Sequence, residues 1–567
     1  MKFIEFHSDK CDECFKCLRS CPTKAITFVG EKRSILDSQC IKCGLCLTVC
    51  THGALETHQD LMRVKNMLRS TTKVVASIAP SFAGLFRMKA QGQMVAALKK
   101  LGFSYIEETA RGAELVSKYY EKYIKDEPTE NIITSCCPST TYFLEKKYNK
   151  ALDSMIPIIS PMVAHGRDIK ERYGEVKVVF IGPCVAKKSE VEEFKDAVDA
   201  AITFKELESW FEGEGINLND FTPDEFDTPS SRRSKAYPIG GSLWQSDLES
   251  PKNKKYEFMH VDGAEDSEIF LKAVDQNLIK GYCAEVNICK GGCINGPEIP
   301  LQAPSYYERV STLKAYVHNK NQCHDMVPFS EKIEMIRTFE KENLNPAEID
   351  EGQVFSVMMS MDKYTEKDQI DCGACGYKTC YDKAVAVVQG RSDMNNCMDR
   401  MRHKVESLQN IIFENSPNAI CILNEHKQIQ DINPAFRNIF NQHYTKLNGW
   451  PIGAIIGSDV FDKLDVSGVN HISEKLHIQG MDKTFFMNLL SMDDEEVFVG
   501  IFTDITLAEQ SRVEMNKMKI ETINTCQSVI DKQMRVAQEI ASLLGETTAE
   551  TKVNLNRLKQ IVMSEEG

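Results

Sequence analysis

The sequence predicts a multidomain protein in which α+β modules accompany an α/β core, and three observations predict it. The chain has 567 residues, enough for roughly three to five folding units with cores of their own. Its 21 cysteines fall in tight groups that divide the chain. From about residue 73 to 300, short apolar runs alternate with helical patterns, which argues for strands joined by helices. The composition, 42% hydrophobic and 26% charged, is that of an ordinary globular protein. No run approaches the ~18 apolar residues of a membrane span. Residues 1–7 lack a signal-peptide core, so a cytoplasmic protein without membrane association is expected. A net charge of −14 with no dense Lys/Arg stripe is a poor match for nucleic acid. Many cysteines without a secretion signal point to metal ligation in a reducing compartment.

Residues 1–58 carry Cys11-x2-Cys14-x2-Cys17-x3-Cys21-Pro22, then Cys40-x2-Cys43-x2-Cys46-x3-Cys50. This doubled run resembles the bacterial ferredoxins with two 4Fe-4S clusters, in which each fourth cysteine crosses to the other cluster. It assigns Cys11, Cys14, Cys17 and Cys50 to one cluster, and Cys40, Cys43, Cys46 and Cys21 to the other. Structural zinc sites are the alternative, but they rarely repeat this spacing or follow a fourth cysteine with proline. Two neighbouring clusters serve to move single electrons.

Residues 59–324 are expected to form the α/β domain. Lys73–Ile78 and Val176–Ile181 are apolar runs that suit buried strands. Met94–Gly102 reads as a helix with a glycine stop, and Phe103–Ile106 as the next strand. Ligand sites in such folds lie at strand ends. Cysteines stand at such places in Ile132-Ile133-Thr134-Ser135-Cys136-Cys137-Pro138 and in Phe180-Ile181-Gly182-Pro183-Cys184. A third stretch is Glu285-Val286-Asn287-Ile288-Cys289-Lys290-Gly291-Gly292-Cys293-Ile294-Asn295-Gly296.

These three signatures, in this order, resemble those of the iron-only (FeFe) hydrogenases, over about residues 1–300. The resemblance implies that Cys137, Cys184, Cys289 and Cys293 hold a 4Fe-4S cube, with Cys293 also bridging to a two-iron subsite. That subsite carries carbon monoxide, cyanide and an azadithiolate, and the whole is the H-cluster. It further implies that Cys136 exchanges a proton with the azadithiolate amine and that Lys187 hydrogen-bonds a cyanide. Pro80 and Ser81 match the loop facing the subsite, and Gly240-Gly241 the glycine pair that lets backbone amides approach its diatomic ligands. The residues support this chemistry in their own right. Heterolytic cleavage of hydrogen needs a Lewis-acidic metal, a nearby base and a one-electron wire.

The chain departs from the family pattern in places. The acidic pair upstream of Cys136 falls on Tyr120 and Tyr123, with Glu121 one place off, and the relay serine falls on Ile156. A phenol of pKa ~10 is a poor relay near neutral pH. Two methionines beside the subsite are replaced by Gly182 and Asn287, and Gly296-Pro297-Glu298 stands where glycines usually continue.

Residues 325–365 are charged and partly helical and are expected to be a connector. Residues 366–402 hold Cys372-x2-Cys375-x4-Cys380-x16-Cys397, which resembles a small 4Fe-4S domain. Zinc is the alternative, disfavoured because no histidine accompanies the cysteines. Residues 403–508 resemble a PAS domain through Asn415–Leu423, Ile432-Asn433-Pro434-Ala435-Phe436 and Val499–Thr506. No cofactor ligand is evident there: His426, His443 and His471 read as ordinary histidines. The lone cysteines Cys323, Cys421 and Cys526 read as small buried apolar residues. In residues 509–567, positions at alternate steps of three and four from Val513 to Val562 are mostly apolar, as in a coiled coil. Gly545 with Thr547-x-x-Glu550 would instead stop one helix and cap another.

The expected function is therefore hydrogenase turnover: H2 interconverted with protons and electrons at the H-cluster. Three accessory 4Fe-4S clusters would pass electrons to a ferredoxin-like partner. The resemblance also implies hydrogenase maturation proteins as partners, and the tail implies a homodimer. Two alternatives stand beside it: a hydrogen or redox sensor acting through the PAS domain and coiled coil, and a non-catalytic iron–sulfur assembly homologue.

Overall fold

The computed structural model describes residues 3–30, 32–126, 129–241, 255–318, 327–342, 349–440, 449–456, 460–461, 470–478, 481–492, 497–544 and 549–564. Cys323, His443, Gly545 and Thr547 lie outside them. The chain divides into two compact units, residues 1–401 and 402–567.

The first unit opens with four short strands, β1 (Ile4–Phe6), β2 (Ile26–Val29), β3 (Lys32–Ile35) and β4 (Leu55–Thr57), in two antiparallel pairs, β1 with β4 and β2 with β3. Two short helices, Lys16–Ser20 and Leu45–Val49, carry the buried Cys17 and Cys46 and follow left-handed Phe15 and Gly44. This is the expected ferredoxin-like module.

Next come β5 (Val74–Ile78), β6 (Tyr105–Glu108), β7 (Ile132–Thr134), β8 (Lys177–Gly182), β9 (Ala200–Thr203), β10 (Glu257–Asp262) and β11 (Tyr282–Asn287). They form two wholly parallel sheets, ordered β6-β5-β8-β9 and β10-β11-β7. Every residue of β5 is buried, as expected of a parallel strand covered on both faces. Parallel strands deliver their carboxyl ends to one side. Four of them lead into the sequences singled out above: β5 into Pro80-Ser81, β7 into Cys136-Cys137, β8 into Cys184 and β11 into Cys289.

Within the run 325–365, described residues pack against the rest of the first unit. Ile333 and Met335 are buried in the main core, Ile158 and Ile336 form an antiparallel bridge, and Arg111 donates a 2.9 Å bond to the Val327 carbonyl. Helix Glu351–Ser360 joins the following cysteine region, packing Val354 and Met358 against Met361, Ala384 and Cys397.

The second unit contains β12 (Ala419–Leu423), β13 (Ile429–Ile432), β14 (His471–Ile478), β15 (Lys483–Met492) and β16 (Val497–Asp504) in one antiparallel sheet, ordered β13-β12-β16-β15-β14. Phe436, Phe440, Phe485 and Phe502 fill its core, with Cys421 fully buried among them. The Asn433-Pro434 signature has a local cause. Buried Asn433 accepts from the Phe436 and Ile420 backbone N–H groups at 2.9 and 2.8 Å and so caps the helix that Pro434 begins. Two helices follow, Thr506–Leu544 and Ala549–Ser564, and the expected stop at Gly545 lies between them, outside the described residues. Cys526 is exposed on the first of them, against expectation: a long surface helix offers no core to bury it.

Candidate metal centre

Cys137 ends the β7 loop as the residue preceding helix Pro138–Lys147. Its backbone N–H donates 3.0 Å to Ser135 Oγ, and Ser135 Oγ donates 2.6 Å to the Val286 carbonyl. The loop after β7 is thereby tied to β11. On the Cys293 side, Gly292 has φ +84°, and a Cβ there would stand 2.6 Å from the Pro238 carbonyl and 2.7 Å from the Gly240 nitrogen. Only glycine permits that approach, and it brings Gly240-Gly241 beside the Cys293 loop. Arg309 holds the same loop from below, donating 3.2 Å to the Ile294 carbonyl and 2.9 Å to Asn295 Oδ1.

The sulfurs converge. Cys136 Sγ is 3.9 Å from Cys293 Sγ. Burial, then the neighbouring charge of Cys137, pushes the Cys184 thiol up to about 12. Cys289 is pushed well up by burial and by Cys137 and Cys184, and Cys293 by its bond to Cys136, by burial and by the same neighbours. Buried thiols that resist ionising together form a donor set that a polycationic cluster relieves. Ser81 Oγ adds a second sign of fit: it is buried with no hydrogen-bond partner, at the mouth of β5 where a ligand group would find it. Cys283 differs. It is buried in the core and raised by burial alone.

Cys136 is the exception among these thiols. Its hydrogen bond with Cys293, aided by the Lys187 charge, holds it below its ordinary value despite burial. Lys187 Nζ donates 2.6 Å to Glu190 Oε2 and 2.9 Å to Ser160 Oγ. An ammonium has three donors, so one remains for a ligand. Glu190 closes the Pro-Cys-x-Ala-Lys-Lys-x-Glu signature that begins at Pro183, whereas no sequence signal points to Ser160.

The positions at which the family pattern places an outer proton path are engaged otherwise. Tyr120 OH donates 3.2 Å to the Ser135 carbonyl, Tyr123 packs against the core, Glu121 pairs with Arg233 at 2.8 Å, and Ile156 is fully buried. Polar groups continue in another direction. Cys136 Sγ is 3.8 Å from Asn287 Oδ1, and Asn287 Nδ2 donates 3.0 Å to Glu285 Oε1. Residues 283, 285 and 287 share one face of β11 by strand parity, and Glu285 opens the third signature. The other departures also have physical causes. At Gly182 the methionine space is taken by Phe180, whose ring would stand 2.6 Å from a Cβ. Pro297 packs on Gly44, where a Cβ would meet its Cγ at 2.6 Å, and Lys42 Nζ donates 2.7 Å to Ser189 Oγ. These contacts seat the Cys40–Cys46 loop on the loops that carry Cys184 and Cys293.

The N-terminal thiols lie within charge range of one another, Cys46 sensing Cys17 as well as Cys21 and Cys40. Cys11 and Cys17 feel the charges of Cys14 and Cys50, while Cys40, Cys43 and Cys46 feel Cys21. Cys372, Cys375, Cys380 and Cys397 line one small cavity. A cleft of about 1250 Å³ opens instead beside Cys21, walled by Lys24, Lys146, Glu268 and Lys378. Glu107, His165 and Asp168 also cluster, but Arg111 and Arg172 already occupy their carboxylates, so this is an ion network of the core.

The family described as iron only hydrogenase large subunit, C-terminal domain, matches residues 72–297. Profiles for a 4Fe-4S dicluster domain, an Fe-S cluster domain and a PAS domain match residues 3–51, 368–398 and 406–474.

Residues 72–297 match the iron-only hydrogenase large subunit, with 4Fe-4S and PAS domain matches on either side.

The chain is 26% identical over 367 residues to the NADP-reducing hydrogenase subunit HndD of Solidesulfovibrio fructosivorans, covering 51% of this chain and 63% of that one. With iron hydrogenase 1 of Clostridium pasteurianum it shares 25% over 394 residues, covering 55% and 67%. A cytosolic Fe-S cluster assembly factor of Drosophila virilis shares 23% over 347 residues, covering 47% and 72%. The match thus spans about two-thirds of each hydrogenase relative. No helix among the described residues is long and apolar enough to cross a membrane.

Proposed function

We propose that this chain interconverts H2 with protons and electrons at an H-cluster held by Cys137, Cys184, Cys289 and Cys293. The carrying observation is the 3.9 Å approach of Cys136 Sγ to Cys293 Sγ, which sets a titratable thiol beside the ligand expected to bridge to the two-iron subsite. When bound, that group supplies the Lewis-acidic metal at which hydrogen is cleaved. The chain supplies the rest. Cys136 takes or returns the proton, and Lys187, braced by Glu190 and Ser160, turns its remaining donor toward a ligand. Ser81 and the Gly240-Gly241 backbone line the same pocket. Glu285, held by Asn287 beside Cys136, is the nearest titratable group in the direction of Asn287, where Tyr120 and Tyr123 offer none.

Electrons would travel through the N-terminal cysteine sets, whose Cys40–Cys46 loop is seated against the core, to a ferredoxin-like carrier. Maturation proteins would deliver the two-iron part, and the C-terminal helices would pair two copies. One observation favours a regulatory role in addition: Cys397 is followed directly by helix Met398–Asn415, which continues into the PAS region. The assembly-factor reading gives the Cys136–Lys187 pair no task. The test is hydrogen evolution and uptake by the full chain after maturation with a synthetic two-iron subsite. Turnover supports the proposal. None, with the infrared bands of the bound subsite present, overturns it.

A further inference from the structure

The fourth cysteine set does not hang from the first unit as a separate bead. Ser392 forms a parallel bridge with Phe28. The Asp393 backbone N–H donates 3.1 Å to the Phe28 carbonyl, and Asn396 Nδ2 donates 3.4 Å to the same oxygen. From the N-terminal module, Arg19 donates 2.8 Å to the Ala374 carbonyl. Between these points Tyr377 is buried in one core with Cys17, Leu18, Phe28 and Cys46, and Cys21 and Cys375 pack at its margin. Gly376, at φ +95°, lies so close to Leu18 that a Cβ would stand 2.6 Å from Leu18 Cγ. The approach requires glycine. A tethered module would need neither a shared apolar core nor backbone pairing across it.

We propose that this interface is a redox junction built into the chain, fixing the Cys372, Cys375, Cys380 and Cys397 centre against the paired N-terminal centres so that electrons pass between them internally. The exchange balances as one electron. A reduced 4Fe-4S centre on one side loses it, an oxidised one on the other gains it, and no bond or proton moves. Tunnelling falls steeply with distance, so a dry apolar seam between the cysteine sets is what such a junction needs. Leu18 stands between Cys17 and Cys21, which belong to different N-terminal centres by the crossed assignment, so the seam borders both. Tyr377, Gly376 and Leu18 act as positioning residues. The wire then has an end inside the chain, at the cysteine from which helix Met398–Asn415 starts.

The junction is tested independently of hydrogen turnover, by electron paramagnetic resonance on the full chain reconstituted anaerobically with iron and sulfide and reduced with dithionite. The intact chain is expected to show interaction-broadened signals that differ from the sum of two spectra. One comes from a Cys372→Ser/Cys375→Ser chain, the other from a Cys14→Ser/Cys43→Ser chain. Gly376→Val with Arg19→Glu keeps all ligands and should lose the broadening while iron content holds. The unmodified chain gives the same comparison if those variants fail to fold. As it is poised to lower potential, relaxation of the C-terminal signal should quicken when the N-terminal centres become reduced. An additive spectrum, relaxation indifferent to potential, or zinc at the C-terminal cysteines overturns the proposal.

Discussion

Replacing Cys136 by alanine removes the one sulfur that lies within 3.9 Å of Cys293 Sγ and 3.8 Å of Asn287 Oδ1. Among the described residues the neighbouring hydroxyl of Tyr120 is committed to the Ser135 carbonyl, and Ile156 carries no titratable atom, so neither takes over the proton. A positioned acid or base contributes about 10²- to 10⁴-fold, and a loss of that size in both evolution and uptake is expected. The ligand cysteines are untouched, so carbonyl and cyanide infrared bands should persist. Cys136→Ser separates two explanations. A serine hydroxyl can keep a hydrogen bond but does not ionise in the working range, so it should be nearly as slow as alanine if proton transfer is the role. The assay is hydrogen by gas chromatography with infrared spectra of the same sample. Turnover within a few-fold of the parent, with the bands intact, would refute the relay.

Three other substitutions probe the surroundings. Tyr120→Phe should leave turnover unchanged and cost about 1 kcal/mol of stability, the usual worth of one internal hydrogen bond; a large fall in rate would restore tyrosine to the proton path. Gly182→Ala should cost about 1–3 kcal/mol through overpacking against Phe180, seen as a lowered melting temperature that Phe180→Leu relieves. Glu107 links stability to acid. Burial alone would raise its pKa, but hydrogen bonds from His165 and Arg172 outweigh burial and hold its carboxyl well below the usual carboxylate range. Its contribution is therefore complete above ~4.3, the unfolded glutamate value, and is lost as pH falls through the depressed folded value. Glu107→Gln should destabilise the core by about 3–5 kcal/mol at neutral pH and flatten the acid limb of the stability profile, which thermal melts across pH would read.

How much of this was legible in the sequence depended on whether the signal was local. Cysteine spacing is local, so the doubled N-terminal run could be read directly. Strand ends that run into Cys137, Cys184 and Cys289 were equally plain, because apolar runs bounded by proline and glycine mark them. Partnerships across the fold were not plain. Nothing beside Lys187 in the chain announces Ser160, and nothing local marks Ile333 and Met335 as partners of the distant core. Departures from the family pattern were visible, but their causes were three-dimensional: Phe180 filling the space at Gly182, and Pro297 seated on Gly44. The seam of Leu18, Phe28 and Tyr377 joins segments more than 300 residues apart, a distance at which no periodicity speaks.

The central claim is that thiols from three separated loops surround a single inorganic centre. Infrared spectroscopy of the full chain matured with the two-iron subsite tests it most directly, alongside iron quantitation and a Cys184→Ala control. Sharp carbonyl and cyanide bands in the parent, lost in the control while the N-terminal clusters remain, are the predicted result. A parent fully loaded with iron yet showing no such bands, or a control that keeps them, would contradict the account.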